Sequence, residues 1–158
     1  AMKRFIRLLL IVLLVVGSIQ IYAECDHDSF HSYKADATIG FYTNLVEGES
    51  ELCKRIEIDH VVSLDEATER GLADSQCREF ANDKDNHVAA CSSINRSKQN
   101  LGPEGFFHRS CDGIGKEYQI INWEEYLHIY YKILHKYGLL KTGMRKQFAS
   151  QPNCFEQE

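Results

Sequence analysis

Apolar and polar residues alternate most clearly between 55 and 62, where the chain reads RIEIDHVV. Alternation with a period of two is typical of a half-buried strand. The segment Asn86 to Cys91 follows the turn-prone residues 82–85 and predicts a second short strand. Ser92 or Ser93 is of the residue type that caps a helix, and this helix stops before Gly102. The pattern therefore predicts strand, insertion, strand and helix in that order.

The insertion between the two strands has helical signatures of its own. Ser63 followed by Glu66 forms a capping box, and Gly71 lies where that helix would end. A second short helix is predicted over 74–80. Ahead of the first strand, residues 29–46 predict a weakly amphipathic helix or a helix and a strand.

The C-terminal part, 122–141, predicts one longer helix. Asn122 is its predicted cap, Glu125 occupies the third helical position and Gly138 follows its end. Its apolar residues recur at helical spacing, which predicts core packing. They are Tyr126, Ile129, Tyr130, Ile133, Leu134 and Tyr137.

The N-terminus changes the expected compartment. Basic residues at 3, 4 and 7 precede the apolar run 8–16, and Ala23 ends the segment. This order is typical of a secretory signal peptide over residues 1–23, with an uncleaved anchor as the alternative. We therefore expect an exported protein, periplasmic or extracellular, with no stable membrane association once the leader is cleaved.

Cleavage would leave residues 24–158, enough for a single domain with one modest core. An even number of cysteines in an exported chain of this size predicts disulfides, here three, with 15 pairings left open. The six cysteines are Cys25, Cys53, Cys77, Cys91, Cys111 and Cys154.

Net charge weighs against broad attraction to nucleic acid. Loss of the leader lowers the count of Lys and Arg from 18 to 15 against 23 acids, a net charge of −8. Because affinity for phosphate normally rests on basic residues, binding to nucleic acid would need a local cationic patch and a bound metal.

Candidate chemistry is concentrated where the strands and the following helix should meet. Asp59 and Asn95 can hold a hard cation through oxygen, Mg²⁺ first and Mn²⁺ or Ca²⁺ as alternatives. His60 can take a proton from water near neutral pH. Arg96 and Lys98 can hold phosphate, although each alone could be a solvated helix residue. Asn86 can tie back the loop so that His60 keeps one ring orientation, or can be a plain turn residue.

These residues occur in an order that resembles a known family. IDHVV at 58–62, FAND at 80–83, Asp85-Asn86 and NRSK at 95–98 are similar to secreted HNH endonucleases of the ββα-metal, or His-Me finger, superfamily. The match covers about residues 41–107. The cysteine-rich export pattern and Phe41-Tyr42 bear a looser similarity to periplasmic endonuclease I.

The resemblance implies an α+β fold: a small ββα-metal (HNH) core with flanking helices, stapled by disulfides. It implies His60 as general base, Asp59 and Asn95 as ligands of one divalent cation, Asn86 as the loop-fixing residue, and Arg96 and Lys98 as phosphate contacts. The reaction it implies is hydrolysis of a phosphodiester to give 5′-phosphorylated ends.

The chain departs from the family pattern at positions beside the motif. Relatives usually have Pro at the position of Ser63, Leu at that of His87 and Gly at that of Gln99. None of these changes removes a proposed ligand or the base. The third HNH position is Asn95 rather than His, a variant that active members also have.

The sequence leaves three functions open. An exported endonuclease acting on DNA, with RNA as the alternative substrate, follows from the ordered motif. A non-catalytic, disulfide-rich secreted binding domain on the same scaffold follows from the acidic net charge. A toxin nuclease with a cognate inhibitor would share the chemistry of the first.

Overall fold

The computed structural model describes Cys25, residues 27–111 and residues 117–141. This part of the chain is α+β, with one two-stranded sheet and five α-helices. None of these helices, within the residues described, is long and apolar enough to cross a membrane. The predicted leader, residues 1–23, lies outside the described residues, as does Cys154.

The sheet is formed by the two predicted strands. Strand β1, Ile56–His60, pairs antiparallel with β2, His87–Cys91, and His60 lies directly opposite His87. The backbone of Phe41 adds a hydrogen bond of 2.7 Å to Ala89. Because the strands are antiparallel and His60 lies opposite His87, the insertion between them leaves β1 and returns to β2 at the same end of the sheet.

Two short helices fill that insertion, α1 at Leu64–Glu69 and α2 at Cys77–Ala81. The Ser63 hydroxyl accepts from the backbone N–H of Glu66 at 3.0 Å, which confirms the predicted cap. Gly71, with φ of 100°, supplies the left-handed turn after α1.

Helix α3, Ser92–Lys98, follows β2 without a loop. The predicted serine cap is wrong, because Ser92 is the first helical residue and Cys91 occupies the cap position without a side-chain bond. The N–H of Ser92 is already satisfied by the carbonyl of Arg55, 3.0 Å away. Helix α4, Pro103–Arg109, was not predicted; it begins with proline at a position where a missing N–H costs nothing.

The last helix, α5, spans Trp123–Lys136 and confirms the predicted stripe. Its buried residues include Tyr126, Tyr130 and Ile133. Asn122 lies at the cap position, but its side chain accepts no hydrogen bond from the helix. Instead, its amide nitrogen donates to the carbonyl of Phe41 at 2.5 Å. This hydrogen bond anchors α5 to the segment before β1.

Residues 29–46 do not form the predicted helix. The described structure there consists of the end of a single 3₁₀ turn at His27–Ser29 and an isolated bridge between Ile39 and Val46. Long-range ties outweigh the weak local periodicity in this segment. Just before the segment, a disulfide ties Cys25 to Cys77 on α2.

A second disulfide, Cys53–Cys91, joins the approach to β1 with the end of β2. Cys111 is disulfide-bonded as well. Gly40 packs against the Cys53–Cys91 bridge so closely that a Cβ at this position would collide with the sulfur of Cys91. The fully buried apolar and aromatic side chains form one core between the sheet and the helices; the largest are Tyr42, Phe80, Ile94, Phe106, Phe107, Ile120, Tyr126, Ile133 and Leu134.

Candidate active site

The end of β1 places two neighbouring side chains in different surroundings. Successive strand residues point to opposite faces, so Asp59 and His60 diverge. Both nevertheless line one groove of about 620 Å³. Its other lining residues are Phe30, Ile58, Ser63, Leu64, Asp65, Asn95, Gln99 and Asn100.

Asp59 is almost completely buried and is held by two donors. The hydroxyl of Tyr42 donates to Asp59 Oδ2 at 2.5 Å, and Lys98 Nζ lies 3.1 Å from Oδ2 and 3.3 Å from Oδ1. Burial, with the negative charge of Asp59 as the next cause, raises the pKa of Tyr42 well above its ordinary value, so Tyr42 stays a neutral donor.

Lys98 points into the protein. Its side chain is fully buried, and Nζ also donates to the carbonyl of His60 at 2.7 Å. The physical reason is helix phase: Ile94, one turn earlier on α3, is buried on the same face. The sequence predicted a phosphate contact for Lys98, but its ammonium lies against Asp59.

His60 is tethered through one ring nitrogen. Its Nε2 lies 2.7 Å from the carbonyl oxygen of Ala81, and no hydrogen bond among the described residues uses Nδ1. Burial lowers the pKa of His60 to about 4, although the hydrogen bond to Ala81 opposes this change. The ring is therefore neutral at pH 7, with a lone pair on Nδ1. This is the state that a general base requires.

Asn95 lies on α3 beside β1. Its amide nitrogen donates to Glu57 Oε1 at 3.0 Å, which fixes the amide plane and leaves the amide oxygen without a hydrogen-bond partner among the described residues. Arg96, the next residue, is exposed and donates to the carbonyl of Ser92 in its own helix. Neither Arg96 nor Lys98 belongs to the groove wall formed by the described residues.

Asn86 is fully buried, and its side chain forms hydrogen bonds with the backbone just after His60. Its Oδ1 accepts from the N–H of Val62 at 2.8 Å, and its Nδ2 donates to the carbonyl of Val62 at 2.9 Å. The backbone carbonyl of Asn86 also accepts from Val61. These three bonds hold the chain that leaves β1 two residues beyond His60.

Asp59 and Asn95 carry oxygen atoms of the kind that a hard divalent cation prefers. Asp59 Oδ1 has only the long contact with Lys98, and Asn95, which lines the same groove, has a neutral amide oxygen. Magnesium takes few protein ligands and keeps several waters, so an open groove with two oxygen donors is a suitable setting. Among the described residues, no group of three His, Cys, Asp or Glu could hold a metal.

Sequence reasoning missed the residues that surround the outer side of His60. His87 Nε2 lies 3.1 Å from His60 Nε2, and the Phe30 ring packs edge-on against both imidazoles. The register of the two strands could have indicated His87, since it lies directly opposite His60. Phe30 had no such local indication, because it lies in a segment distant from His60 in sequence and outside the two strands.

Gln99 ends α3 in an unusual conformation. Its φ is 53° and its ψ is −134°, in a region that side chains with a Cβ rarely adopt. The residue lines the groove beside Asn95 and His60.

Comparisons with known proteins do not add to this geometry: no protein-family model, no curated protein and no solved structure matches the chain.

Proposed function

We propose that the protein is an exported, divalent-cation-dependent endonuclease built on a ββα-metal (HNH) scaffold. The observation that carries the proposal is the convergence of Asp59, His60 and Asn95 on one groove. The order β1, β2 and α3 around that groove is the order that the resemblance implies. DNA is the favoured substrate and RNA the alternative.

The chemistry of the chain's own residues begins at His60. Nδ1 takes a proton from a water molecule, whose oxygen attacks the phosphorus while the bond to the 3′ oxygen breaks. A cation held by Asp59 and Asn95 would neutralise charge on the phosphate and on the leaving oxygen. The hydrogen bond from Nε2 to Ala81 holds the ring while Nδ1 becomes protonated.

The disulfides support the proposed exported compartment. Two bridges lie within the described residues, and Cys111 is bonded too. Such bridges persist in oxidising compartments, which supports export to the periplasm or the extracellular space.

The test is cleavage of plasmid DNA and of a labelled RNA by purified, oxidised protein with Mg²⁺, Mn²⁺ or Ca²⁺. We expect cutting that stops with a chelator and falls by about 10² to 10⁴ in His60→Ala. His108→Ala, which removes an exposed histidine on α4, is the matched control and should cut normally. No cutting with any ion, or cutting unaffected by His60→Ala, would reject the proposal.

A second function has one observation in its favour. The ammonium of Lys98 already compensates the charge of Asp59, as it would in a non-catalytic secreted binding domain on the same scaffold. Tight binding of a protein partner that survives His60→Ala combined with Asn95→Ala would support this alternative.

A further inference from the structure

Side chains of β1 and α3 meet in two matched pairs beside the groove. Glu57 and Asp59 lie two positions apart on the strand, so they share one face. Asn95 and Lys98 lie three positions apart on the helix and also share a face. Asn95 Nδ2 donates to Glu57 Oε1 at 3.0 Å, and Lys98 Nζ lies 3.1 Å from Asp59 Oδ2. Each of the two proposed metal ligands is therefore held by a side chain of the opposite element.

The contact with Glu57 determines which end of the Asn95 amide is free. A carboxylate accepts hydrogen bonds, and the nitrogen is the only side-chain atom of asparagine that can donate one. The nitrogen therefore faces Glu57, and the oxygen is left for a ligand in the groove that Asn95 lines with Asp59. Because a hard cation binds the oxygen of an amide, this orientation determines whether Asn95 can be a ligand.

Glu57 is itself held from its other side. Its Oε2 lies 3.4 Å from Nη2 of Arg55, whose backbone carbonyl accepts from the N–H of Ser92 at the start of α3. The guanidinium of Arg55 and the amide nitrogen of Asn95 are both donors, so Glu57 supplies one acceptor oxygen to each. A side chain with a single acceptor at position 57 could not satisfy both neighbours.

We propose that Glu57 is a positioning residue for metal binding: it turns the Asn95 amide so that the oxygen, and not the nitrogen, is presented to the cation. This inference rests on the proposed function, because it concerns the cation that Asp59 and Asn95 would hold. Groups that orient a metal ligand typically contribute about 10- to 100-fold to metal affinity.

A purely structural role for Glu57 leads to a different expectation. If the contact only tied α3 to β1, any side chain of the same shape that kept a hydrogen bond with Asn95 would preserve the site. Glu57→Gln is such a change. The oxygen of the new amide should turn to the Arg55 guanidinium and its NH₂ group to Asn95. The Asn95 amide then reverses, and its nitrogen is presented to the groove.

The first test is the Kd for Mn²⁺, measured on oxidised protein without nucleic acid from the EPR signal of the free ion. Glu57→Gln should raise this Kd about tenfold. In the Asn95→Asp background the same change should raise it less than about threefold, because a carboxylate at position 95 has an oxygen on either side. Equal effects in the two backgrounds would overturn the proposal, since they would reflect only the charge lost at position 57.

Glu51→Gln is the matched control, because it removes the same charge from an exposed glutamate that pairs with Lys54. It should leave the Kd for Mn²⁺ unchanged. The midpoint of urea denaturation in a chelator should be the same in Glu57→Gln and in the wild type. An unchanged Kd in Glu57→Gln, or weaker binding that accompanies a lower midpoint, would favour the structural role and overturn the proposal.

The second test is the Mg²⁺ concentration that gives half-maximal cleavage of a DNA oligonucleotide. Glu57→Gln should raise this concentration by the same factor as the Kd for Mn²⁺. The same change in the Asn95→Asp background should leave it nearly constant. An equal rise in both backgrounds would overturn the proposal.

The two tests separate the role of Glu57 from the proposed function. If the protein cuts no nucleic acid but Glu57→Gln weakens Mn²⁺ binding in the Asn95 background alone, the positioning of Asn95 stands and hydrolysis is rejected. If the protein cuts DNA and the Kd does not respond, the proposed function stands and the role of Glu57 is rejected. If the wild-type protein binds no Mn²⁺, the role of Glu57 is overturned together with the cation site.

Discussion

The two sides of the groove are built on opposite principles. On the inner side, Asp59 is buried with the ammonium of Lys98 and the hydroxyl of Tyr42, so a charged pair lies inside the protein. On the outer side, His60 is surrounded by the neutral rings of Phe30 and His87. One residue along the strand thus separates a buried ion pair from a neutral imidazole.

This difference teaches which part of the site carries stability and which carries reactivity. Both carboxylate oxygens of Asp59 have partners, and removing the Lys98 ammonium would leave a buried charge without compensation. His60, by contrast, keeps one nitrogen without a hydrogen-bond partner among the described residues. We therefore expect changes on the inner side to act mainly on folding, and changes on the outer side mainly on turnover.

Lys98→Met should give the largest effect. The change leaves Asp59 buried without its cation, and we expect a loss of about 3–5 kcal/mol in the free energy of unfolding. The measurement is equilibrium urea denaturation in a chelator and again with Mg²⁺. If Asp59 binds the ion, Mg²⁺ should restore more stability to this variant than to the wild type.

Arg96→Met is the control for that experiment, since it removes an exposed cation from the same helix. It should change the free energy of unfolding by less than about 0.5 kcal/mol. Equal effects of the two substitutions would contradict the assignment of Lys98 to the interior.

Acidic pH should lower the free energy of unfolding because His60 is buried on the outer side of the groove. The pKa of His60 is about 4, chiefly because the ring is buried, whereas an unfolded histidine has a pKa near ~6.5. Unfolding therefore takes up a proton between these values, and stability falls as the pH drops from about 6.5 to about 4. We expect the free energy of unfolding to fall by about 2–3 kcal/mol over this range, because each pH unit changes it by about 1 to 1.4 kcal/mol.

Urea denaturation in a chelator at several pH values measures this loss. His60→Phe should lose less stability than the wild type over that range, and His108→Phe serves as the control for removing an exposed histidine. Parallel curves for wild type and His60→Phe would show that burial of His60 does not oppose its protonation.

Gln99→Gly should give the smallest effect, and a stabilising one. Glycine adopts φ of 53° with ψ of −134° without strain, so we expect a gain of about 1 kcal/mol, measured by thermal unfolding. Asn44→Gly, at φ of 55°, is the comparison. That change should not stabilise, because Asn44 Oδ1 accepts a hydrogen bond from Asn122.

Local patterns predicted much of the fold around the site. Alternation located β1, the turn-prone residues before 86 indicated the start of β2, the Ser63 hydroxyl capped α1 as expected, and the aromatic stripe of α5 is buried. The helix predicted within 29–46 is wrong, and α4 was missed. In both segments, contacts with distant residues dominate over a weak local periodicity.

The site shows the same division at the level of single residues. The sequence predicted that Asp59, His60 and Asn95 lie near one another, and they line one groove. It did not distinguish Arg96 from Lys98, although only Lys98 is buried. The distinction depends on how α3 is rotated against β1, and the spacing of Lys98 from Ile94 was its only local indication.

The sequence by itself determined the order of strands and helices, because hydrophobic periodicity and capping act over a few neighbouring residues. Tertiary structure alone decided the partners of the groove residues: Lys98 for Asp59, and His87 with Phe30 for His60. The physical reason is that these contacts join residues 27 or more positions apart. Strand register, helix rotation and the Cys25–Cys77 disulfide bring them together.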